Sequence, residues 1–244
     1  MLRIIDARTG GPVLAAPARR APTRVEAHVP ERDATALRVL LAADLLARAL
    51  ELDGTPVWTV LTGVAERDRL REDAAALGVR PFEDGPAAGH GAGPGQSLRV
   101  VAEGAGEGGD RDATDVTTVA VAPMHPADPD LADPDAVRLV LLERHHHARV
   151  ELDAAALDEA RDTLARLRRA VADWARRPSR PVPGEVRDRL RAAWEDDLDA
   201  PGVLRVLRQV ETDPDLPDGA RFEICAYADR FLGLHLTRDV GSAP

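Results

Sequence analysis

The chain has 244 residues and a formal net charge of −10, a length that allows one large domain or two modest ones with a sizeable core. All 32 basic residues are arginine, so no lysine ammonium is available as a catalyst, Schiff-base former or phosphate clamp. The acidic balance disfavours non-specific nucleic-acid binding, and the single cysteine excludes an intrachain disulfide.

Membrane and secretion signals are lacking in the sequence. No charged-then-apolar signal pattern opens the chain, and no apolar run approaches the ~20 residues that a spanning helix requires. We therefore expect a soluble, cytoplasmic protein.

The first eighty residues alternate between strand and helix patterns. Strands are predicted over 2–6, 25–29 and 57–62, and helices over 33–52 and 65–77. Gly54 and Gly78 follow the two helices as stop signals. Strand–helix–strand–helix at this spacing predicts a Rossmann-like half with a parallel sheet.

Residues 83–115 are rich in Gly, Pro, Ala and acidic residues and indicate a linker with one strand, over 98–102. A further strand is predicted over 116–122. Within the linker Gly104, Gly106 and Gly109 form a G-x-G-x-x-G pattern. The pattern opens into Asp110-Arg111-Asp112 rather than an apolar helix, which favours a loop over a phosphate-binding turn.

A long amphipathic helix is predicted over 153–177. Asp153 stands at the N-cap and Pro178 ends the helix. Apolar residues recur in steps of three and four and share one face: Leu157, Ala160, Leu164, Leu167, Val171 and Trp174. The arginines of this region fall mostly elsewhere and favour a solvated face over an RNA site: Arg161, Arg166, Arg168 and Arg169.

Two further helices are indicated towards the C-terminus. Asp199 followed by Pro201 is typical of an N-cap with proline in the first turn. Cys225 lies in an apolar-periodic helix over 222–231, which favours a core thiol over a nucleophile. We predict an abbreviated Rossmann-like α/β domain over 1–132, followed over 133–244 by an α-helical bundle of about four helices.

The residue order from Asp133 onward carries a family resemblance. One segment reads Asp133, Pro134, Val137, Arg138, Leu139, Leu141, Leu142 and His145; a second reads Ala192, Asp196, Asp197, Leu198, Asp199, Ala200 and Pro201. Both resemble the region after the KMSKS loop in class I cysteinyl-tRNA synthetases and in the ATP-dependent cysteine ligase of mycothiol synthesis. In order and spacing the chain is identified as a truncated, degenerate relative of that family.

The resemblance continues more weakly in the first half, where Ala36, Leu37, Arg38, Asp44 and Gly54 are in register. It places the family's histidine-glycine signature on residues 33–36 and its KMSKS loop on residues 123–127. In the family, the signature histidines stabilise the ATP phosphates. Here Asp33 would add a negative charge near those phosphates, and the side chain of Ala36 has no hydrogen-bond donor. The segment 123–127, in place of the KMSKS loop, has no lysine. The resemblance thus implies a protein without adenylate-forming chemistry.

Six residues are candidates for a remnant ligand or nucleotide pocket: His28, Asp33, Thr35, Arg38, Thr62 and His145. No catalytic residue and no metal site is predicted. His28 aligns with the family's first zinc-binding cysteine if a short deletion is placed after it, but one imidazole without partners makes no zinc site. Adjacent histidines on a helix diverge, so His145, His146 and His147 are interpreted as a cation-favouring C-terminal helix turn.

Three functions remain open. The first is a non-adenylating pseudo-synthetase with a binding, scaffolding or regulatory role, requiring no cofactor and recognising a nucleotide-like or thiol ligand or a protein partner. The second is an ATP-dependent ligase for cysteine or a related amino acid with a remodelled pocket, using Thr35, Arg38 and Thr62. The third is tRNA handling through the arginine-rich helices.

Overall fold

A computed structural model of the chain describes residues 1–17, 22–63, 67–85, 96–105, 116–126 and 131–241. The strands are β1 (Arg3–Ile5), β2 (Pro12–Leu14), β3 (Thr23–His28), β4 (Val57–Thr62), β5 (Glu83–Asp84), β6 (Gln96–Ala102), β7 (Thr117–Val121), β8 (Met124–His125) and β9 (Val150–Glu151). The helices are α1 (Ala34–Leu52), α2 (Arg67–Ala76), α3 (Pro134–Leu142), α4 (Ala154–Trp174), α5 (Gly184–Glu195), α6 (Ala200–Thr212) and α7 (Asp218–Leu232).

The main sheet has five parallel strands in the order β5-β4-β3-β6-β7. The chain leaves the central strand β3 towards β4 on one side and later enters β6 on the other side. Strand order therefore reverses at β3, and in such sheets ligands bind outside the carboxyl ends of the strands at this switch point. The predicted α/β, Rossmann-like class is confirmed.

Helix α1 lies across this sheet and is buried on nearly every side. Its stripe of leucines and alanines explains the burial: Ala43, Leu46 and Ala47 have no exposed surface. Asp53 N–H bonds back to the Ala49 carbonyl (3.2 Å), and Gly54 follows at φ +80°. The helix therefore ends where the sequence predicted.

The C-terminal helices pack around the predicted apolar face of α4. Ala160, Leu164 and Val171 on that face are buried, which confirms the periodicity. Between residues 131 and 241 the chain forms five helices rather than about four, because α3 precedes the long helix as a separate element. Asp199 caps α6 through Oδ1, which accepts from Gly202 N–H at 2.8 Å, as predicted.

The prediction of a solvated arginine face is wrong at Arg168. Its side chain is buried, pairs with Asp135 at 2.9 Å and donates to the Leu234 carbonyl at 2.6 Å. Periodicity places Arg168 beside Leu167 at the edge of the apolar face, where a long side chain reaches a carbonyl past the end of α7.

Arg138 joins the two halves of the fold. It is 1% exposed and donates to the carbonyls of Leu77 and Leu232, each at 2.8 Å. Gly233, at φ +62°, ends α7 against this guanidinium, and a Cβ there would lie 2.6 Å from Arg138 Nη2. The position therefore requires glycine both for its backbone conformation and for space.

Within the linker predicted over 83–115, the structure describes β5, the strand β6 and the turn at Gly104, which has φ +82°. Gly106 and Gly109 of the G-x-G-x-x-G pattern lie outside the described residues. Cys225 is 1% exposed in α7, in agreement with the predicted core thiol. Among the described residues, no helix is both long enough and apolar enough to cross a bilayer.

Candidate functional site

The switch point of the sheet brings His28 and Thr62 together. They end β3 and β4 and are paired in register. His28 Nδ1 lies 3.0 Å from Thr62 Oγ1, and the hydroxyl donates to Glu26 Oε1 at 2.9 Å. Because the hydroxyl has one proton, His28 Nδ1–H is the donor to Thr62. Both predicted pocket residues are thus engaged in one buried network.

Glu26 is the charge at the centre of this network and has no exposed surface. Its carboxylate lies 3.3 Å from Nε of Arg99 and 3.5 Å from Nη2 of Arg24. Burial, and then the positive charge of Arg99, lower the pKa of His28, while Glu26 acts in the opposite direction. His28 is therefore neutral at pH 7, and its Nδ1 is already used by Thr62.

The chain turns sharply after Thr62. Gly63 has φ +97°, and a Cβ there would lie 2.7 Å from the Val29 carbonyl oxygen and 3.2 Å from His28 Cε1. The loop after β4 therefore lies close against the end of β3, and a side chain at Gly63 would push the two strand ends apart.

The N-terminus of α1 faces the same edge, and Asp33 occupies it. Its Oδ1 accepts from Ala36 N–H at 2.7 Å, in the geometry of an N-cap. Thr35 Oγ1 lies 3.4 Å from the backbone N of Met124, from which it accepts a hydrogen bond. Asp33 and Thr35, both predicted as pocket residues, therefore accept hydrogen bonds from backbone N–H groups and stabilise the local structure.

Arg38 is buried against three backbone carbonyls. Nη1 donates to Ala122 at 2.6 Å and Pro123 at 3.4 Å, and Nη2 donates to His145 at 2.8 Å. Burial lowers the pKa of Arg38 to about 10, so the group stays cationic at pH 7. Its donors hold α1 to the loop after β7 and to the turn at His145.

The predicted helix turn at His145, His146 and His147 is wrong. Helix α3 ends at Leu142, and the three histidines follow in a non-helical turn. Their rings converge, with centroids 4.3 Å apart for 145 and 146, 4.1 Å for 146 and 147, and 5.3 Å for 145 and 147. The sequence argument against a metal site assumed that adjacent histidine side chains point in different directions. That assumption holds only for a helical backbone, and this turn is not helical.

All three imidazoles face the carboxylate of Asp197. Its Oδ2 lies 3.0 Å from Nε2 of His147, 3.7 Å from that of His145 and 3.8 Å from that of His146. Burial and the neighbouring His145 and His147 lower the pKa of His146 to about 3, while Asp197 raises it less. Burial also lowers the pKa of His145.

Asp197 itself is held from the other side by β1. Oδ1 accepts from Ile5 N–H at 2.8 Å, and Asp197 N–H donates to the Arg3 carbonyl at 2.9 Å. Burial alone would raise the pKa of Asp197, but the hydrogen bonds from His147 and from the Ile5 N–H lower it. The carboxylate is therefore ionised at pH 7.

Five of the six predicted site residues fall into two groups, and the sixth, Asp33, caps α1. His28 and Thr62 join the Glu26 network, while Thr35, Arg38 and His145 lie along the seam between α1 and the loops that follow β7 and α3. Sequence reasoning missed Glu26, Arg99 and Asp197. The polar residues alternating along β3 were a usable signal for Glu26, whereas nothing local pairs Asp197 with the distant histidines.

Comparison with known proteins gives one class of relative. L-cysteine:1D-myo-inositol 2-amino-2-deoxy-alpha-D-glucopyranoside ligase of Acidothermus cellulolyticus is 46% identical over 111 residues, which are 43% of this chain and 25% of that ligase. The ligase of the same name from Parafrankia sp. is 52% identical over 73 residues, 30% of this chain and 16% of its own length. That from Streptosporangium roseum is 39% identical over 113 residues, with shares of 43% and 26%.

The predicted resemblance to the cysteine ligase of mycothiol synthesis, a relative of class I cysteinyl-tRNA synthetases, is confirmed over about 43% of this chain. The match spans between 16% and 26% of the length of these curated relatives. No family model matches the chain. A relation to ligases is therefore established, and the activity of this chain is a separate question.

Proposed function

We propose that this chain is a ligase-related protein that does not form an aminoacyl adenylate and that acts by binding a small ligand or a protein partner. The observation that carries the proposal is the position of Asp33. Its carboxylate accepts the Ala36 N–H at the N-terminus of α1, beside the switch point of the sheet. This is where a nucleotide phosphate would need a positive helix end.

Electrostatics at this edge oppose a triphosphate. A carboxylate about 5 Å from a phosphate charge costs ~3 kcal/mol at an effective dielectric constant of ~20. Arg38, the candidate phosphate clamp of the remodelled-pocket alternative, directs its Nη atoms at three carbonyls and is 2% exposed. Releasing it would leave buried carbonyl groups without donors, at a further cost of ~1–3 kcal/mol each.

The segment in register with the KMSKS loop gives no compensating charge. Met124 is 2% exposed and pairs within β8 against β9, and its backbone N–H is used by Thr35. The chain has no lysine to stabilise a leaving pyrophosphate. The buried Met124 and the absence of lysine support the proposal that this chain has the α/β fold of the related ligases without the cationic groups that would stabilise pyrophosphate.

The tRNA hypothesis gains little support from the arginine-rich helices. Arg161 pairs with Asp133 at 2.8 Å, and Arg166 and Arg208 pair with Glu211 and Glu143. Guanidinium groups that already face carboxylates contribute less to neutralising a phosphate backbone, which is the main source of such affinity. A small ligand or a protein partner is therefore the better-supported occupant.

The substrates named for the relatives define the ligands to test. Thermal unfolding and calorimetry are run with Mg²⁺-ATP, L-cysteine, the amino sugar of myo-inositol and a sulfamoyl analogue of cysteinyl adenylate, with the Acidothermus cellulolyticus ligase as the positive control. We expect no stabilisation of this chain by millimolar ATP or by the analogue. Stabilisation by Mg²⁺-ATP together with saturable binding of the analogue would overturn the proposal in favour of the ligase alternative, because a pocket for both reactants would then remain.

A further inference from the structure

We propose that His145, His146, His147 and Asp197 form a binding site for one first-row divalent cation of the Zn²⁺ class. Three imidazoles and one carboxylate are the donor set that such ions prefer. Their four ligand atoms lie within 4.8 Å of one another, and the site is empty. His28 does not belong to this site, because its Nδ1–H already donates a hydrogen bond to Thr62.

The distances suit a tetrahedral ion. Ligand atoms at Zn–N and Zn–O lengths of ~2.0–2.1 Å are ~3.4 Å apart along a tetrahedral edge. The three edges from Asp197 Oδ2 to the imidazole Nε2 atoms measure 3.0, 3.7 and 3.8 Å and bracket that value. The four ligand atoms are at most 4.8 Å apart, so any separation that exceeds ~3.4 Å must contract when an ion binds.

A second observation is independent of the cluster itself. His146 is 8% exposed, and its Nε2 is buried without a hydrogen-bond partner in the described part of the chain. An unsatisfied polar atom in a buried position destabilises the fold. Asp197 Oδ2 lies within hydrogen-bonding distance of His147 alone, so a central cation would give all three rings a partner.

The surrounding backbone holds the ligands in place. The His145 carbonyl accepts from Arg38 and the His146 carbonyl accepts from Ala122 N–H, each at 2.8 Å. Asp197 and Leu198 have φ of +52° and +59°, a left-handed conformation that is strained for a non-glycine residue such as leucine. This strain points the carboxylate at the histidines while Ile5 N–H orients its other oxygen.

The site has a route from solvent and a clear structural consequence. The side chains of His145 and His147 are 28% and 35% exposed, so an ion can reach the ligand atoms from solvent. Four protein ligands leave no open coordination position, as in structural zinc sites. The ion would clamp β1, the turn after α3 and the α5–α6 junction, and would stabilise the folded chain rather than activate a water.

The test uses the full chain without an affinity tag, freed of metal by chelation. Zn²⁺ affinity is measured by competition with a chromophoric chelator, and Co²⁺ substitution reports geometry through its visible absorption. We expect one ion per chain, a tetrahedral Co²⁺ spectrum and, at 100-fold excess over Kd, a rise in Tm of about 5–10 °C that EDTA reverses.

Three variants make the test specific. His147→Gln changes a partly exposed ligand, and Asp197→Asn keeps the left-handed backbone and the acceptor for Ile5 N–H while removing the anionic ligand. Each should weaken Zn²⁺ binding at least tenfold, and the exposed control His125→Gln should leave it unchanged. If Asp197→Asn does not fold, His147→Gln decides. Absence of saturable binding, or wild-type affinity in a folded ligand variant, would overturn the proposal.

Discussion

The carboxylate of Asp33 accepts the backbone N–H of Ala36 at 2.7 Å, and this contact caps the start of α1 and places a carboxylate at the helix end beside the sheet's switch point. In a nucleotide-binding α/β fold that helix end is normally free to receive a phosphate. Here a side chain of the protein already provides the negative group. One residue therefore stabilises the helix and disfavours the chemistry of the related ligases.

Substitution of Asp33 should separate these two effects. Asp33→Ala removes the cap and should lower the free energy of unfolding by about 1 kcal/mol, whereas Asp33→Asn keeps an acceptor at the N-cap and should stay close to wild type. Urea unfolding followed by circular dichroism measures both. Equal stability of the two variants would show that the cap contributes nothing.

Arg138 should be among the most sensitive positions for stability. Arg138→Met leaves the carbonyls of Leu77 and Leu232 without donors and removes the cation 3.6 Å from the buried Asp44 carboxylate. We expect a loss of about 2–5 kcal/mol in the free energy of unfolding, measured by urea denaturation, because each buried carbonyl left without a donor costs about 1–3 kcal/mol. Asp44 keeps Arg48 and Arg80 as partners.

The matched control for Arg138 is Arg208→Met. Arg208 is an exposed arginine that pairs with Glu143 at 2.6 Å. Its loss should cost at most about 1 kcal/mol, because exposed ion pairs contribute little. Similar losses for the two variants would contradict the role assigned to Arg138 as the tie between the halves.

The thiol of Cys225 should not react with thiol reagents in the native chain. Burial, with the nearby acids Asp229 and Glu211, raises the pKa of its thiol to about 12, so only roughly one molecule in 10,000 carries the thiolate at pH 8. Ellman's reagent should therefore react with no thiol in buffer and with one per chain in urea. Rapid reaction of the native chain would place Cys225 outside the core.

The free energy of unfolding should decrease as the pH falls below about 6.5, partly because of His28. Burial and Arg99 lower its pKa in the native state, so the unfolded chain binds the proton more tightly. Its contribution is complete above the ordinary histidine pKa of 6.5 and is lost as pH falls through and below that value.

The variant that tests this is His28→Asn, whose amide nitrogen replaces Nδ1 as the donor to Thr62. Comparison of urea unfolding at pH 7 and pH 5, with EDTA present, should show a smaller acid loss than in wild type. The exposed control His125→Gln should lose as much stability between pH 7 and pH 5 as the wild type does. An unchanged pH dependence in His28→Asn would mean that the imidazole is not the responsible group.

Local patterns predicted the regular elements because their causes are local. The three- and four-residue steps of Leu164, Leu167 and Val171 reflect one helix face, and strand 57–62 has the bounds that the sequence indicated. Asp153 and Asp199 were identified as caps because an N-cap lies within three residues of the N–H groups it accepts.

The candidate site was not predictable in the same way, because its contacts join distant segments. Arg38 resembled a phosphate ligand until its partners, the carbonyls at 122, 123 and 145, were known. The three histidines are interpreted from the sequence as a C-terminal helix turn, but the backbone leaves the helix at Leu142, before it reaches them. Asp197 belongs to a junction between later helices, and only the tertiary fold brings it to them.

The central claim, that the chain no longer activates an amino acid, is tested most directly by exchange of radiolabelled pyrophosphate into ATP in the presence of L-cysteine and Mg²⁺. The Acidothermus cellulolyticus ligase is assayed in parallel, and exchange by that protein is required as evidence that the conditions support adenylation. We predict that this chain gives no exchange above a protein-free blank. Cysteine-dependent exchange above that blank would contradict the account and would mean that a remodelled pocket still forms the adenylate.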